Sequence, residues 1–580
     1  MKKSLLIICS ILFTWATNAQ IIFSGESPAS IQGSYAMEYG DPGAGWGSPD
    51  LLDPANAVLD TLAQYLDITA ADSLGCDATG ANNDVDGKIA ILYRGECEFG
   101  TKALNAENNG AIACVIINNV PGGPVGMAPG TDGPNITIPI VMIGDVDGAT
   151  LLAEMQNGPV EVFIGNKTGF YPNDAGTLPS TILRPKQFAT PSLIAQDDTE
   201  YSFDVGAWVY NYGFQDQTNV SLNAIVNFGP TELYNESATP VDIPAGDSVF
   251  FALPEFSETS YDLGFYDLNY TITSDSTEDY SFDNMITAEF AITESLYGYA
   301  TIDEGTMLPS TSGGLRPVNG DGTPVGTYLS CIHFRDPNAS RIAPTGISFS
   351  SIKANDAADP SLEGEPINIS VYEWNDNFVD MNDANYQNPP VDIQEIAFDE
   401  YFYPSDMPGE GVTADFETPF ALEDNQRYLF CVTTFNEELF FGHDPDMDYS
   451  WNLQNYLQPL FPIQADGTWN INGFGAETVP GVTINFVDAA ELNLQNEKLS
   501  IEMNAYPSPA NDVLTIDFNG YDVENIEMLN LAGQRVAGQS LISGKSSTEF
   551  DVNGLENGVY IVKVYLANGM VETMQVVVSH

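Results

Sequence analysis

The stretch "GKIAILYRGECEFGTKALNAENNGAIACVIINN", running from Gly87 to Asn119, holds two apolar runs of buried-strand length around a helical pattern. The runs are "KIAILY" (Lys88–Tyr93) and "AIACVIIN" (Ala111–Asn118). Between them Phe99, Ala103 and Ala106 recur at i, i+4 and i+7, which is one face of a helix. Gly110 follows, the residue type that ends helices in a left-handed conformation. Strand, helix and strand at this spacing make a right-handed crossover between parallel strands, because a right-twisted strand and a right-handed helix pack back onto the sheet in that hand. A further strand, "ITIPIVMIG" (Ile136–Gly144), leads into "DVDGATLLAEMQNG", a short helix that Gly158 ends. The same stretch crowds Arg94, Glu96, Cys97, Glu98 and Lys102 where the first run meets the helix. Two readings stand side by side, a catalytic centre and a structural turn.

Outward from this segment, the 580 residues suggest about four domains. Hydrophobic residues make up 43%, enough for well-buried cores. Gly (51), Pro (36), Tyr (27) and Phe (31) are plentiful, and short alternating segments recur between turn residues, the pattern of a multi-domain, mainly β protein. The 81 acidic residues against 17 basic ones give a net charge of −64. Such a surface repels phosphate backbones and anionic membranes, which excludes nucleic acid as a partner. It also repels itself unless salt or divalent cations screen it, which fits an extracellular or saline setting.

The first residues, "MKKSLLIICSILFTWATNAQ", have the three parts of a signal peptide. Lys2 and Lys3 are the basic region, Leu5 to Phe13 the apolar region, and Thr17-Asn18-Ala19 the cleavage site, so that residues 1–19 are removed and Gln20 becomes the first. No later stretch reaches the ~18 apolar residues of a membrane helix, so no transmembrane segment is expected after cleavage. Export permits disulfides. Cys76, Cys97, Cys114, Cys331 and Cys431 lie beyond the leader, an odd set that leaves at least one thiol free. No CxxC or Cys/His cluster offers a zinc site.

Residues 20–167 resemble a protease-associated (PA) domain. Gly87, Lys88, Arg94, Gly95, Cys97, Phe99, Lys102, Ala106, Gly110, Ala111, Ile138 and Pro139 match the family pattern position by position. The resemblance implies an α/β module that contacts substrates or partners beside or within secreted proteases and surface receptors, and that is not catalytic by itself. It also implies a bridge from Cys76 to Cys97 across the first strand. Lys102 is expected one turn along the helix on a more exposed face, and Cys114 as a small buried hydrophobe.

"YPNDAGTLPSTILRPKQFATP" (Tyr171–Pro191) reads as a Pro- and Thr-rich spacer. The β-rich segment 175–293 resembles the immunoglobulin-like spacer domains of bacterial surface proteins, through Asn211, Gly213, Asp283 and Asn284. Residues 294–488 read as a β-sandwich of jelly-roll type, with "GTYLSCIHF", "TGISFSSIKA", "INISVYEWN" and "RYLFCVTTF" as strands. Cys331 and Cys431 sit in two of these, with a second bridge and two free thiols as the alternatives. Residues 496–580 resemble the type A C-terminal sorting domain of the bacterial type IX secretion system. Tyr506, Pro507, Pro509, Leu514, Leu531, Gly533, Leu555, Gly558, Tyr560 and Val564 carry that likeness, while His580 stands where the family usually ends in lysine. It implies a seven-strand β-sandwich read by the type IX machinery, and delivery through the periplasm to the outer cell surface or the medium.

The parts an enzyme requires are sparse. The three histidines are His333, His443 and His580, with no HExxH motif and no G-x-S-x-G elbow. His333 in "SCIHFRD" is strand-like, and His443 in "FGHDPDMDYS" reads as a solvated turn residue. Asp444, Asp446 and Asp448 have the alternate-carboxylate spacing of calcium loops but lack the glycine and distal glutamate of an EF-hand, leaving calcium and a solvated acidic loop both open. "WNDNFVDMNDAN" (Trp374–Asn385) is a second such stretch. Trp46, Trp208, Trp374, Trp451 and Trp469 are scattered over the domains and read as core aromatics rather than one sugar site. The sequence thus points to a secreted or cell-surface protein that binds a protein or glycan ligand without catalysis. Its contact surface is expected in "NNVPGGPVGMAPGTDGPN" (Asn118–Asn135), a long Gly/Pro-rich loop. The rivals are a peptidase-related hydrolase with its site in 294–488, and an accessory subunit of a separate protease.

Overall fold

The structure, a computed structural model, describes residues 21–68, 73–80, 84–119, 123–319, 323–354, 357, 359–492, 503–518, 523–530, 534–540, 546–566 and 571–580. The signal-peptide reading of residues 1–19 lies outside them, as do Leu531 and Gly533 of the sorting signal. The protein is mostly β. It divides into two compact units, one of residues up to 486 without 340–344 and 418–423, the other of those two segments with residues 487–580.

The first unit opens with an eight-stranded sheet: β1 (Ile21–Ser27), β2 (Gly33–Tyr35), β3 (Met37–Tyr39), β4 (Val58–Gln64), β5 (Ile89–Tyr93), β6 (Ala113–Ile117), β7 (Ile140–Ile143) and β8 (Glu161–Asn166). Their order is β2-β1-β8-β4-β5-β6-β7-β3, with β4 to β7 parallel. Parallel strands covered on both faces must be apolar at every position, which is why β5 and β6 read as continuous runs. Ile89, Ile91, Val115 and Ile117 face a core containing Leu151 of α2 (Asp145–Met155). Ala90, Leu92, Cys114 and Ile116 face the other core, which holds Ala103 and Ala106 of α1 (Phe99–Asn108). At Gly100 a Cβ would lie 2.2 Å from both Gly133 N and Pro129 O, so glycine lets α1 seat directly on the 129–133 backbone.

The spacer Tyr171–Pro191 is not a linker. It contributes β9 (Ala175–Gly176) and β10 (Ala189–Pro191), and Ile182, Leu183, Arg184 and Phe188 are buried. Each of these strands is only two or three residues long, too short for an alternating pattern to show. Further on come β11 (Ser202–Asn211), β12 (Gln217–Phe228), β13 (Thr231–Ser237), β14 (Val241–Ile243), β15 (Ser248–Ser257), β16 (Gly264–Thr273), β17 (Met285–Thr293) and β18 (Leu296–Gly298). The sheet β15-β11-β9 lies over β13-β12-β16-β17-β10-β18, and Phe203, Val209, Leu222, Leu268 and Phe290 fill the space between. β18 also pairs with Val482–Asp488, so the sheet runs unbroken through the boundary read at residue 294. β10, lent by the spacer, seats parallel to β17 and antiparallel to β18 and closes that seam.

Beyond it, Tyr328–Phe334, Pro366–Trp374, Ile393–Phe402 and Arg427–Thr434 belong to a six-stranded sheet. Phe334 packs on Phe486 and Tyr297 of the long sheet, while Cys331, Trp374, Phe378 and Cys431 form a core on the opposite face. Helix α3 (Ser450–Tyr456) returns to the β9–β18 part of the same unit: Trp451 meets Trp208 edge-on with centroids 5.6 Å apart, and Asn452 donates to the carbonyls of Arg184 and Pro185. Trp208 and Trp451, far apart in sequence, are therefore one contact.

In the second unit, residues 504–578 form, among the described residues, seven strands in sheets of three and four, closed over Leu514, Ile516, Ile526, Met528, Val562 and Val576.

Candidate functional site

In the N-terminal module Lys102 and the cysteines are held inside the fold, while Glu96 and Glu98 are exposed. Cys76 is bridged to Cys97. Lys102, expected on an exposed face, is fully buried, and its ammonium donates to the Leu74 carbonyl and lies 3.7 Å from Cys76 Sγ. The helix turns this face not to solvent but to the segment around Gly75, where Asn105 donates to the Gly75 carbonyl at 3.0 Å. The buried Asp67 carboxylate completes the clasp by accepting from the backbone N–H groups of Leu74, Gly75 and Asp77 at 2.6–2.9 Å. Arg94 donates to Asn118 Oδ1 at 3.0 Å. Cys114 is a buried free thiol, its pKa pushed up to about 12 by burial despite the nearby Lys102 charge.

The described part of the loop ending at Asn135 is anchored at three points. Trp46 Nε1 donates to the Met127 carbonyl at 3.2 Å, Thr131 N donates to Glu98 Oε2 at 2.7 Å, and Thr101 Oγ1 donates to Asp132 Oδ2 at 2.8 Å. Gly123, Gly126, Ala128, Gly130 and Thr131 are left exposed, beside the exposed Glu98 carboxylate.

The histidines take different places. His333 is buried on Tyr328–Phe334, edge-on to Trp374 with centroids 6.1 Å apart, and its Nε2 has no hydrogen-bond partner. Burial, with Arg427 and Arg335 adding to it, holds its pKa well below the usual histidine range, so the ring is neutral. His443 is not a solvated turn residue. It lies half-buried in the strand Leu439–Asp444, opposite Ser312 and Pro480, because Phe441 and His443 alternate with residues on the other face. Its Nδ1 has no partner, and burial lowers its pKa against the pull of Asp444. Cys331 and Cys431 face each other in adjacent strands and are bridged.

The two acidic stretches are tied to backbone. Asp444 is buried, accepting from Thr301 N at 2.7 Å and from Asp446 N at 2.9 Å, and Asp448 accepts from Ser450 N at 2.7 Å. Asp376 accepts from Trp374 Nε1 and Val391 N, and Asp383 from Val379 N and Asn385 N. Among the described residues no three His, Cys, Asp or Glu side chains gather as a metal site would require.

Cavities among the described residues of the first unit include two sizeable ones. One, of about 500 Å³, is lined by Leu263, Phe265, Ile292, Met307 and Asn485, with Glu294 as its ionisable group. The other, of about 470 Å³, lies where β18, the His333 strand and the end of α3 meet, and carries Lys186, Arg335, His333, Tyr297, Tyr299 and Tyr456 on its wall. The sequence hides it, because its residues come from five separated stretches.

In the second unit Tyr560 is buried and its hydroxyl donates to the Glu556 carbonyl at 2.8 Å, while Tyr506, Pro507, Pro509 and Gly558 are exposed.

Comparison with known proteins matches a PA domain at residues 62–151 and a secretion system C-terminal sorting domain at residues 504–579. The chain therefore carries both modules. A sorting domain of this kind marks it for export by the type IX machinery to the cell surface or beyond, and among the described residues no helix is long and apolar enough to cross a membrane. The chain is 34% identical over 104 residues to probable leucine aminopeptidase 2 of Aspergillus oryzae, covering 17% of this chain and 21% of that protein. To leucine aminopeptidase 2 of Trichophyton equinum it is 33% identical over 109 residues, 19% of this chain and 20% of that one. The chain thus spans about a fifth of the length of the curated relatives it matches. Among solved structures it resembles an aminopeptidase from Aneurinibacillus sp. strain AM-1 at 22% identity, over 25% of this chain and 30% of that one, with a TM-score of 0.19.

Proposed function

We propose that this is an exported recognition protein whose PA domain binds a protein or glycan ligand without catalysing a reaction on it. One observation carries the reading: Lys102 and the bridged Cys97 are tied into the fold, while the loop up to Asn135 is pinned at Met127, Thr131 and Asp132 and exposes Gly126, Ala128, Gly130 and Thr131. A rim fixed before binding loses little entropy when a partner docks. The test is binding of the full exported chain to arrays of secreted proteins and glycans, compared with a variant carrying Ala128→Arg and Thr131→Arg. Specific binding that the variant loses is expected. Hydrolysis of casein, gelatin or a polysaccharide, abolished by replacing one carboxylate in 294–488, would overturn the reading in favour of a hydrolase.

The likeness to aminopeptidases supports a narrower version, in which the partner is a separate protease or its substrate. Capture of the protein on an immobilised surface protease, lost in the same rim variant, distinguishes that version from recognition of a glycan.

A further inference from the structure

The chain has 17 basic residues against 81 acidic ones, and several of those described are paired or bonded within the fold. Lys88 pairs with Asp84, Lys167 with Asp174 and Asp283, Lys353 with Glu365, and Arg535 with Glu527. Arg316 and Arg427 are buried against backbone carbonyls. Lys186 and Arg335 are both exposed. They lie 149 residues apart in sequence yet line the same cavity of about 470 Å³, and neither meets a carboxylate among the described residues.

Their surroundings are built. The Lys186 ammonium stands 5.4 Å above the ring of Tyr456, whose hydroxyl accepts from Asp204 N at 2.9 Å and so holds the ring in place. Arg335 commits Nε to the Asn425 carbonyl at 2.9 Å, which fixes the guanidinium and leaves the rest of its fork for another acceptor. Behind them His333, 4% exposed, keeps an Nε2 without a partner. The Tyr297 and Tyr299 hydroxyls both reach the His333 carbonyl, at 3.4 and 3.2 Å.

We propose that this cavity binds the carboxylate-bearing end unit of an acidic glycan, a uronic acid. Arg335 and Lys186 take the carboxylate, the first through its planar fork and the second as a mobile point charge. The Tyr456 ring offers a flat apolar face to the C–H side of the sugar, and the free amide of Asn425 meets its hydroxyls. The volume falls within the range of small-ligand sites and suits one or two sugar rings. The surrounding charge of −64 repels a long polyanion, so the site takes a chain end rather than a chain interior. This site lies outside the PA rim, and its failure leaves the recognition reading of that rim untouched.

Calorimetric titration of the full chain at low salt tests it, with digalacturonate as the probe. Cellobiose, inorganic phosphate and a short peptide with a free C-terminal carboxylate serve as comparators. Digalacturonate is expected to bind and cellobiose not. Arg335→Gln and Lys186→Gln should each weaken binding about tenfold, as loss of a charge-assisted bond does, with melting temperature unchanged because both side chains are exposed. Arg335→Lys should recover part of the loss. No uptake of digalacturonate, equal affinity in the double Gln variant, or preference for phosphate or the peptide over digalacturonate each overturns the assignment.

Discussion

Lys167 Nζ lies 2.6 Å from Asp283 Oδ2 and 2.7 Å from Asp174 Oδ1, in a space almost closed to water. Lys167 directly follows β8, the last strand of the N-terminal eight-stranded sheet, and both partners come from the segments that follow it. The rings of Tyr212 and Tyr280 flank the ammonium at 4.4 and 4.3 Å. One buried cation thus joins two bodies that the sequence reads as separate domains. Gly176 is part of the same arrangement, for a Cβ there would lie 1.9 Å from Asp283 Oδ2.

Removing the cation would leave two buried carboxylates facing each other. Lys167→Met is therefore expected to cost about 3–5 kcal/mol, the loss typical of a broken buried ion pair. Urea unfolding followed by tryptophan fluorescence, with limited proteolysis between residues 167 and 175, checks it. The variant should unfold at lower urea and be cut in that segment where the parent is not.

The same cluster sets a pH dependence. Burial is the largest influence on Asp174 and outweighs the pull of Lys167, raising its carboxyl to about 7. Burial likewise lifts Glu278 to about 7 against its bond from Ala175 N, and it raises Asp283. A carboxyl whose folded pKa is raised favours the fold when protonated. Its contribution is full below the ordinary carboxylate range and is lost as pH rises through about 7. Melting temperature should fall from mildly acidic pH to pH 8, and Asp174→Asn, which keeps Lys167 paired with Asp283, should flatten that slope. A wild-type melting temperature that rises steadily over this interval contradicts the assignment.

The sequence shows the parts of this protein whose signals are local. A continuous apolar run is enough to place β5 and β6, and the i, i+4, i+7 face places α1, because a doubly covered parallel strand and a core-facing helix each demand those patterns. The burial of Lys102 is not visible there, since it depends on where Leu74 and Cys76 come to rest. Neither is the role of Tyr171–Pro191, whose strands are too short to show a period and owe their pairing to β11, β17 and β18. The cavity at Lys186 and Arg335 is hidden for the same reason: it exists only once α3 has turned back onto the segment around Arg184.

The Cys331–Cys431 bridge closes a loop with a sequence separation of 100, against 21 for Cys76–Cys97. On the loop-entropy estimate the longer loop contributes about 4.7 kcal/mol and the shorter about 3 kcal/mol. Replacing both members of each pair by alanine should lower the melting temperature in both cases, and further for Cys331 and Cys431. Differential scanning calorimetry of the two double variants makes the comparison, and a larger loss at Cys76 and Cys97 would show that native packing, not loop length, governs it.

Asp444 decides between the two readings of its acidic loop. Its carboxylate already accepts from Thr301 N and Asp446 N, and a calcium ion would have to compete for those oxygens. Asp444→Asn keeps the shape but presents an N–H₂ group to one of those donors, an unsatisfied contact worth about 1–3 kcal/mol. The expected result is a lower melting temperature in the variant, the same with millimolar calcium as with a chelator, and no calcium heat in the parent on titration. A parent that is stabilised by calcium, with the gain lost in Asp444→Asn, would instead make the loop a calcium site, and Asp446→Asn would then test whether its neighbour supplies a second oxygen.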